Sequence, residues 1–473
     1  DTWLPLRPGS EGVVALALAN ALGADGLGDY TLERAAAASQ LANDKLNSLV
    51  EMLQAAQQPL ALAGGAAAHG VNGCATVHAI NTLNSVAGAP VVANPDPVIG
   101  GGAATRRATY QQLEAMVADM NAGRIKALLI NNCNPIYSLP PSLGLREAID
   151  SVPHVIAISS YIDETSAMAD YILTPHSSLE DWFDDTPSPG VGFATATIGQ
   201  PVVAPVHDTL PLGDIIIELG RRIDNEVAQA LPWEDSRSYL RARWEEIYNE
   251  RADGLSGLSF DEFWDEVLRA GVWAEERRGP ALALTGEVLD PEPGAAPGRD
   301  FPYYFEPFVS TALRDGGAAN LPWQQELPDP LTGMVYNSWV ELNPATAVRL
   351  DLRDGDVVTI SSSAGAIDAP VVTSPAIHPD VVAMPIGQGH ATYGRYASNR
   401  GVNPLSIVDD QRDRDCGALA WAATHVQLTP TGRRMKLIRM SGTPRPLGRA
   451  ILGPEGEGGA PAHHDADDGE HHG

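Results

Sequence analysis

Residues Val340 to Ile407 read VELNPATAVRLDLRDGDVVTISSSAGAIDAPVVTSPAIHPDVVAMPIGQGHATYGRYASNRGVNPLSI, and the punctuation of this stretch decides the fold. Short β-branched runs at Val357 to Ile360, Ala369 to Thr373 and Val381 to Met384 are broken at Asp354-Gly355, Ala364-Gly365 and His378-Pro379-Asp380. Such runs between Gly and Pro breaks predict a small antiparallel barrel. A helical reading fails because Gly and Pro recur too often for a helix to propagate.

Upstream, strands alternate with helices. A helix over Leu113 to Ala122, stopped by Gly123, precedes an apolar strand Lys126 to Ile130 of the buried parallel type. The turn Asn131-Asn132-Cys133-Asn134-Pro135-Ile136-Tyr137 follows at the carboxyl end of that strand, where open α/β sheets bind ligands. A second strand runs from His154 to Ser159. Nearer the start, Ser10 is placed to cap an apolar helix, Leu46 to Ala56 is an amphipathic helix, and Pro59 to Gly65 reads as a short buried strand before a helix over Cys74 to Ala87. That is a Rossmann-like half-unit, although Gly64 to Gly70 is not GxGxxG. His69 and His78 have no third donor at metal spacing and read as packing or surface residues. The expected fold is therefore α/β: Rossmann-like lobes over 1–95 and 96–230, a helical insert and Gly/Pro linker over 231–300, a β-barrel over 301–445, and a tail over 446–473. Within the insert, Tyr239 to Glu250 and Phe260 to Ala270 read as helices. The acidic tail, with His463, His464, His471 and His472, cannot bury a core; its His/Asp tract could take metals but has no fixed geometry.

The 473 residues carry 31 basic and 60 acidic side chains, a formal net charge of −29. Nucleic acid or an anionic bilayer would repel such a chain, whereas solubility or a basic partner fits it. No apolar run approaches the roughly 18 residues of a membrane span, and no signal peptide is visible. The opening residues run straight into a helix, as if the chain were entered mid-domain. Cys74, Cys133 and Cys416 lie far apart with no CxxC, so this chain by itself builds no all-Cys iron–sulfur cluster. They read as buried free thiols, with a disulfide between two of them left open. No G-x-S-x-G elbow is present.

Four segments in order, Asn343-Pro344-Ala345-Thr346-Ala347, Gly355-Asp356-Val357-Val358, Gly387-Gln388-Gly389-His390 and Gly401-Val402-Asn403-Pro404-Leu405, resemble the C-terminal dinucleotide-binding barrel of the molybdopterin oxidoreductase family. The stretch Tyr161 to Pro175, with Asp163, Glu164 and Thr165, resembles that family's D-ETxxxADxxLP signature, and Arg7-Pro8-Gly9-Ser10-Glu11 its RPGTD junction. An N-cap alone would look the same in either place. The segment from Leu313 to Thr332, with Ser338-Trp339-Val340-Glu341, looks like the B subunit of alternative complex III, a membrane quinol oxidoreductase.

The resemblance implies pocket positions at Asn134, Asp163, Glu164, Thr165, Gly387, His390 and Asn403. It places the metal-ligating residue upstream of this region, so Cys133 is not nominated as the molybdenum ligand, and His390 reads as a barrel-mouth residue rather than a general base. Where the family keeps a glycine this chain has Asn132, and a side chain in place of bare backbone argues against a bound nucleotide. The expectation is then a non-catalytic scaffold that binds no cofactor of its own. Its implied partners are an iron–sulfur ferredoxin-like domain, a multihaem cytochrome c subunit and integral membrane quinol-binding subunits, on the periplasmic side of the cytoplasmic membrane. The alternatives are the cofactor-binding part of a catalytic bis-molybdopterin guanine dinucleotide reductase of the polysulfide or tetrathionate type, and a non-redox binding protein.

Overall fold

A computed structural model describes residues 2–89, 107–186, 191, 193–250, 257–278 and 288–440. The His-rich tail lies outside the described residues, as do Gly286 and Pro280 of the expected linker.

The first lobe is a cluster of helices: α1 (Glu11–Ala21), α2 (Leu32–Ser39), α3 (Asn43–Ala55) and α4 (Gly73–Ala87). α1 is apolar on nearly every side, and Val13 to Ala19 are buried among the other three. A helix without a polar face belongs at the centre of its layer. Ser10 does not cap it; its hydroxyl donates to Arg7 O instead. The strand expected over Pro59 to Gly65 does not form, and Leu60 and Leu62 are exposed. The Asn84 side chain explains the difference. It accepts from Ala61 N and donates to Ala61 O, both at 2.8 Å, so a side chain occupies the place of a pairing strand.

The second lobe has the expected parallel sheet. β1 (Ala127–Asn131), β2 (His154–Ile158) and β3 (Tyr171–Leu173) lie in the order β1-β2-β3. α5 (Tyr110–Asn121) begins at a Thr109–Gln112 capping box. It packs with α7 (Leu145–Asp150) over β2 through Val117, Met120 and Ile149, with Val155 of β2 in the same core, while the short α6 (Pro135–Ser138) follows the β1 turn.

A separate antiparallel sheet was not legible in the sequence. β4 (Phe183–Asp185), β5 (Phe193–Gly199) and β6 (Val272–Arg278) pair in that order, so the end of the insert returns to the second lobe. After α8 (Leu212–Ile223) and α9 (Asn225–Ala230), α10 (Ser236–Glu250) and α11 (Phe260–Ala270) cover β5 through Trp244, Phe263 and Trp264. The rest of the expected linker is docked rather than free: Asn72 donates to Gly9 O and Pro291 O, and Arg414 to Glu292 O and Pro293 O. Gly12 permits this, since a Cβ there would lie 2.5 Å from Pro291.

The C-terminal domain is a closed six-stranded barrel ordered β10-β8-β11-β7-β12-β9. Its strands are β7 (Tyr303–Val309), β8 (Val340–Leu342), β9 (Asp356–Ser361), β10 (Ala366–Thr373), β11 (Val381–Ile386) and β12 (His425–Arg434). β9–β10 is the expected hairpin, but the barrel is mixed, because β10 pairs parallel with β8 and β11 parallel with β7. Parallel pairs need crossover connections, which short-range turn chemistry does not announce. Phe305, Val340, Ile360, Val382 and Met384 fill the interior. Among the described residues, no helix is long and apolar enough to cross a membrane.

Candidate functional site

The β1 turn meets the barrel through a buried lattice of side chains. Asn132 sits at φ +46°, the left-handed region that a glycine would occupy and that Asn tolerates better than most residues. The departure from the family glycine therefore keeps the turn. Two residues on, Asn134 donates to Glu164 Oε2 at 2.7 Å and accepts from the Thr165 hydroxyl at 2.7 Å. Asp163 Oδ1 accepts from the amides of Thr165 and Ser166, so it caps the turn after Ile162 as expected. Thr165 itself is turned the other way and accepts from Ile136 N at 3.1 Å.

Glu164 joins the lobe to the barrel. Its Oε1 accepts from Ala391 N at 2.7 Å and Thr392 N at 3.0 Å, and its Oε2 lies 3.2 Å from His390 Nδ1. The residue is 7% exposed and His390 2%. Burial by itself would raise the Glu164 carboxyl, but hydrogen bonds from His390, Asn134 and Thr392 N–H pull it down to about 2. An ionised carboxylate only accepts, so His390 Nδ1 carries a proton. His390 Nε2 is buried and has no hydrogen-bond partner.

Tyr137 completes the joint. Its ring stacks on His390 with centroids 3.8 Å apart and planes 10° apart. Its hydroxyl donates to Gln388 O at 2.8 Å and accepts from Gly387 N at 3.0 Å, and burial pushes the phenol well up, so it stays protonated. Asn403 donates to Tyr137 O at 2.8 Å. Gly389, at φ +88°, allows the two barrel loops to touch, since a Cβ would lie 2.0 Å from Asn403 N.

Beside this lattice is a cleft of about 440 Å³ between the second lobe and the barrel. Of the seven anticipated positions, Asn134, Asp163 and His390 line it, and Glu164, Thr165, Gly387 and Asn403 stand behind it as the joint. Tyr137, Arg314 and the Gly316-Gly317 pair also line it and escaped the sequence reading. The signal at Arg314 is conformational (φ +56°), and Gly316 is needed because a Cβ would lie 2.6 Å from Tyr137 and 2.9 Å from His390 Nε2.

A second, wider cleft of about 700 Å³ lies between the first lobe and the barrel, lined by Glu11, Asn72, Glu306 and Arg414 among others. His69 crosses the seam to Glu306 at 2.9 Å and meets Trp421 edge-on. Glu11 Oε2 is buried without a partner, and burial, with some help from the charge of Glu306, pushes its carboxyl above the usual range. Both volumes lie within the range of about 300–1,000 Å³ that suits a cofactor. Each cleft also borders on a residue with an orphaned buried polar atom, His390 Nε2 or Glu11 Oε2, that a ligand could satisfy. The residues present thus fit a polar group at each seam.

Residues 323–421 match the molydopterin dinucleotide binding domain family. The chain is 26% identical over 456 residues to the menaquinone reductase, molybdopterin-binding-like subunit of Nitratidesulfovibrio vulgaris, a match covering 90% of this chain and 63% of that protein. It is 27% identical over 405 residues to the arsenate respiratory reductase molybdopterin-containing subunit of a Shewanella species, covering 68% of this chain and 46% of that one. Its fold is similar to acetylene hydratase from Pelobacter acetylenicus, with a TM-score of 0.67 at 15% identity, covering 91% of this chain and 71% of that structure. The chain thus spans less than two thirds of the length of these two relatives. These matches overturn the expectation that the chain binds no cofactor: its barrel is of the dinucleotide-binding kind, and the relatives are named for molybdopterin. Asn132, at φ +46°, keeps the left-handed turn that a glycine would make there.

Proposed function

We propose that the chain is a member of the molybdopterin oxidoreductase superfamily and the dinucleotide-holding portion of a membrane-linked quinone oxidoreductase complex of the alternative complex III type. The observation that carries this reading is the match along 90% of the chain to a subunit named for menaquinone reductase. An exposed apolar surface on the second lobe supports it: Leu129, Ile162, Tyr171, Ile172 and Leu210 are all open to solvent. β3 is an edge strand of the parallel sheet, and such edges are ordinarily covered. The proposed cover is the iron–sulfur, ferredoxin-like part of the complex, with haem-bearing and quinol-binding subunits beyond it on the periplasmic side.

In the smaller cleft, Asp163 and Asn134 would meet the hydrogen-bonding edge of a base, and Arg314 with the Gly316-Gly317 backbone would meet an anionic oxygen. In the larger cleft Glu11 would donate or accept according to its proton. When bound, the molybdenum carried by the pterin would supply the two-electron redox chemistry that side chains lack. Glu164 and Tyr137 act by keeping the barrel loop and the lobe in register, and His390 offers Nε2 at a fixed orientation.

The test is isolation of the intact assembly from native membranes, with haem, iron, sulfide and acid-released nucleotide measured against this chain. The reading expects c-type haem and iron–sulfur protein in fixed ratio with the chain, guanine nucleotide released on acid treatment, and quinol-dependent electron transfer. Isolation of an assembly without haem that reduces arsenate or thiosulfate directly would reject it in favour of a catalytic reductase, the reading to which the similarity to the arsenate reductase subunit points.

A further inference from the structure

The cysteines Cys74 and Cys416 lie on opposite sides of the seam between the first lobe and the barrel. Cys74 is the second residue of α4, and Cys416 sits in the loop before β12. Asp413, 6% exposed, lies between them and holds both backbones: its Oδ2 accepts from Cys74 N at 2.8 Å and its Oδ1 from Cys416 N at 2.9 Å. Two amides bound to one carboxylate bring the two cysteines close together in space despite their separation in sequence. Their sulfur atoms and a carboxylate oxygen of Asp413 all lie within 4.8 Å of one another. The backbone contact Arg414 N to Val71 O, at 2.9 Å, fixes the two segments in the same place.

We propose that Cys74 and Cys416 form a disulfide that fastens the first lobe to the barrel at the rim of the larger cleft. A disulfide sets its sulfurs about 2 Å apart, so two sulfurs within 4.8 Å of each other must approach by rotation of their side chains. Val71, Asn72 and Arg414, which flank the two cysteines in sequence, line that cleft, so the bond would hold its width. The proposal does not depend on which reaction the clefts serve.

The chemistry balances with a disulfide of the glutathione or thioredoxin-like class as oxidant. The exposed Cys416, as thiolate, attacks one sulfur of the oxidant, forming a mixed disulfide and releasing one thiol. Cys74, deprotonated, then attacks the Cys416 sulfur, forming the Cys74–Cys416 bond and expelling the second thiol. Two protein thiols are oxidised, and one oxidant disulfide is reduced to two thiols. Burial raises both thiols, Cys74 up to about 11, and it is the exposure of Cys416 that lets it meet the oxidant first.

A metal site is the competing use of the same atoms. It fits less well, because Asp413 already takes the amides of Cys74, Asp415 and Cys416, and the cluster of possible ligands among the described residues contains only these three side chains. A closed zinc site needs four.

The test equilibrates the full chain with excess oxidised glutathione, alkylates the remaining thiols and maps peptides without reduction. The expected result is a peptide pair joined through Cys74 and Cys416, with no Cys133 in that pair. A melting temperature lower by about 5–10 °C after reduction should accompany it. Cys74→Ser, Cys416→Ser and the double variant should each reproduce that shift alone, without adding to one another. Three thiols free to alkylation, glutathione left on Cys416, or both thiols shielded by one chelator-removable zinc per chain would each overturn the proposal.

Discussion

Along the seam between the second lobe and the barrel, Glu164 gathers Asn134, His390 and two barrel amides around a carboxylate that is 7% exposed. Along the first lobe's seam, the matching carboxylate, Glu11, is half-buried with its Oε2 buried and unpartnered, and one of the contacts that cross, His69 to Glu306, stays partly open to water. The two seams store charge with opposite signs of consequence. Glu164 is held ionised and contributes stability; Glu11 resists ionisation and is a cost at neutral pH until a ligand or a proton satisfies it. The Glu164 carboxylate has both oxygens satisfied within its joint, whereas the Glu11 carboxylate leaves Oε2 to the cleft, and each seam keeps one orphaned atom, His390 Nε2 or Glu11 Oε2, for a guest.

The strongest way to break this comparison is Glu164→Ala. It leaves Asn134, His390 and the amides of Ala391 and Thr392 without their acceptor, and should lower unfolding stability by about 3–5 kcal/mol in a denaturant titration. A loss below about 1 kcal/mol would mean that the joint relaxes onto water. Tyr137→Phe removes the hydroxyl between Gln388 O and Gly387 N and should cost about 1–3 kcal/mol by the same measurement. Asn132→Val forces a β-branched residue to φ +46° and should cost about 1–2 kcal/mol, whereas Asn132→Gly should be nearly neutral; equal effects would refute the conformational account. Glu306→Gln, on the open seam, should change stability by only about 0–1 kcal/mol.

The pH dependence separates the seams by sign. The Glu164 carboxyl lies below its unfolded value of 4.5, so its stabilisation is complete above that pH and is lost as the pH falls from about 4.5 to about 2. Glu11 lies above 4.5, so its contribution runs the other way: stability falls as the pH rises through that region. Melting curves of Glu164→Gln and Glu11→Gln between pH 2 and 7 should show the first variant weakened at pH 7 and the second strengthened. The same sign for both would show that the two carboxylates share one environment.

Much of this was legible in residue patterns. The runs at Val357, Ala369 and Val381, separated by breaks at Gly355 and Pro379, located barrel strands, and the apolar run ending at Asn131 located a parallel strand with its ligand-side turn. These are signals of local period, which the chain carries whatever surrounds it. Pro59 to Gly65 carried the same signal and misled, because Asn84, from a later helix, took the hydrogen bonds a neighbouring strand would have made. The cysteines misled as well: Cys133 and Cys416 are exposed and Cys74 is half-buried, against the expectation of buried thiols.

By itself the sequence determined where the barrel hairpin, the parallel strands β1 and β2 and most of the helices lie, and which short polar segments stand at their ends, since those depend on side-chain volume, φ preference and spacing over a few residues. Only the tertiary structure decided that Glu164 would serve as a joint and Glu11 as a cleft wall, that the barrel would close through parallel pairs, and that Cys74 would meet Cys416. Burial and hydrogen-bond partners set the character of a carboxylate or a thiol, and these partners come from residues far away along the chain.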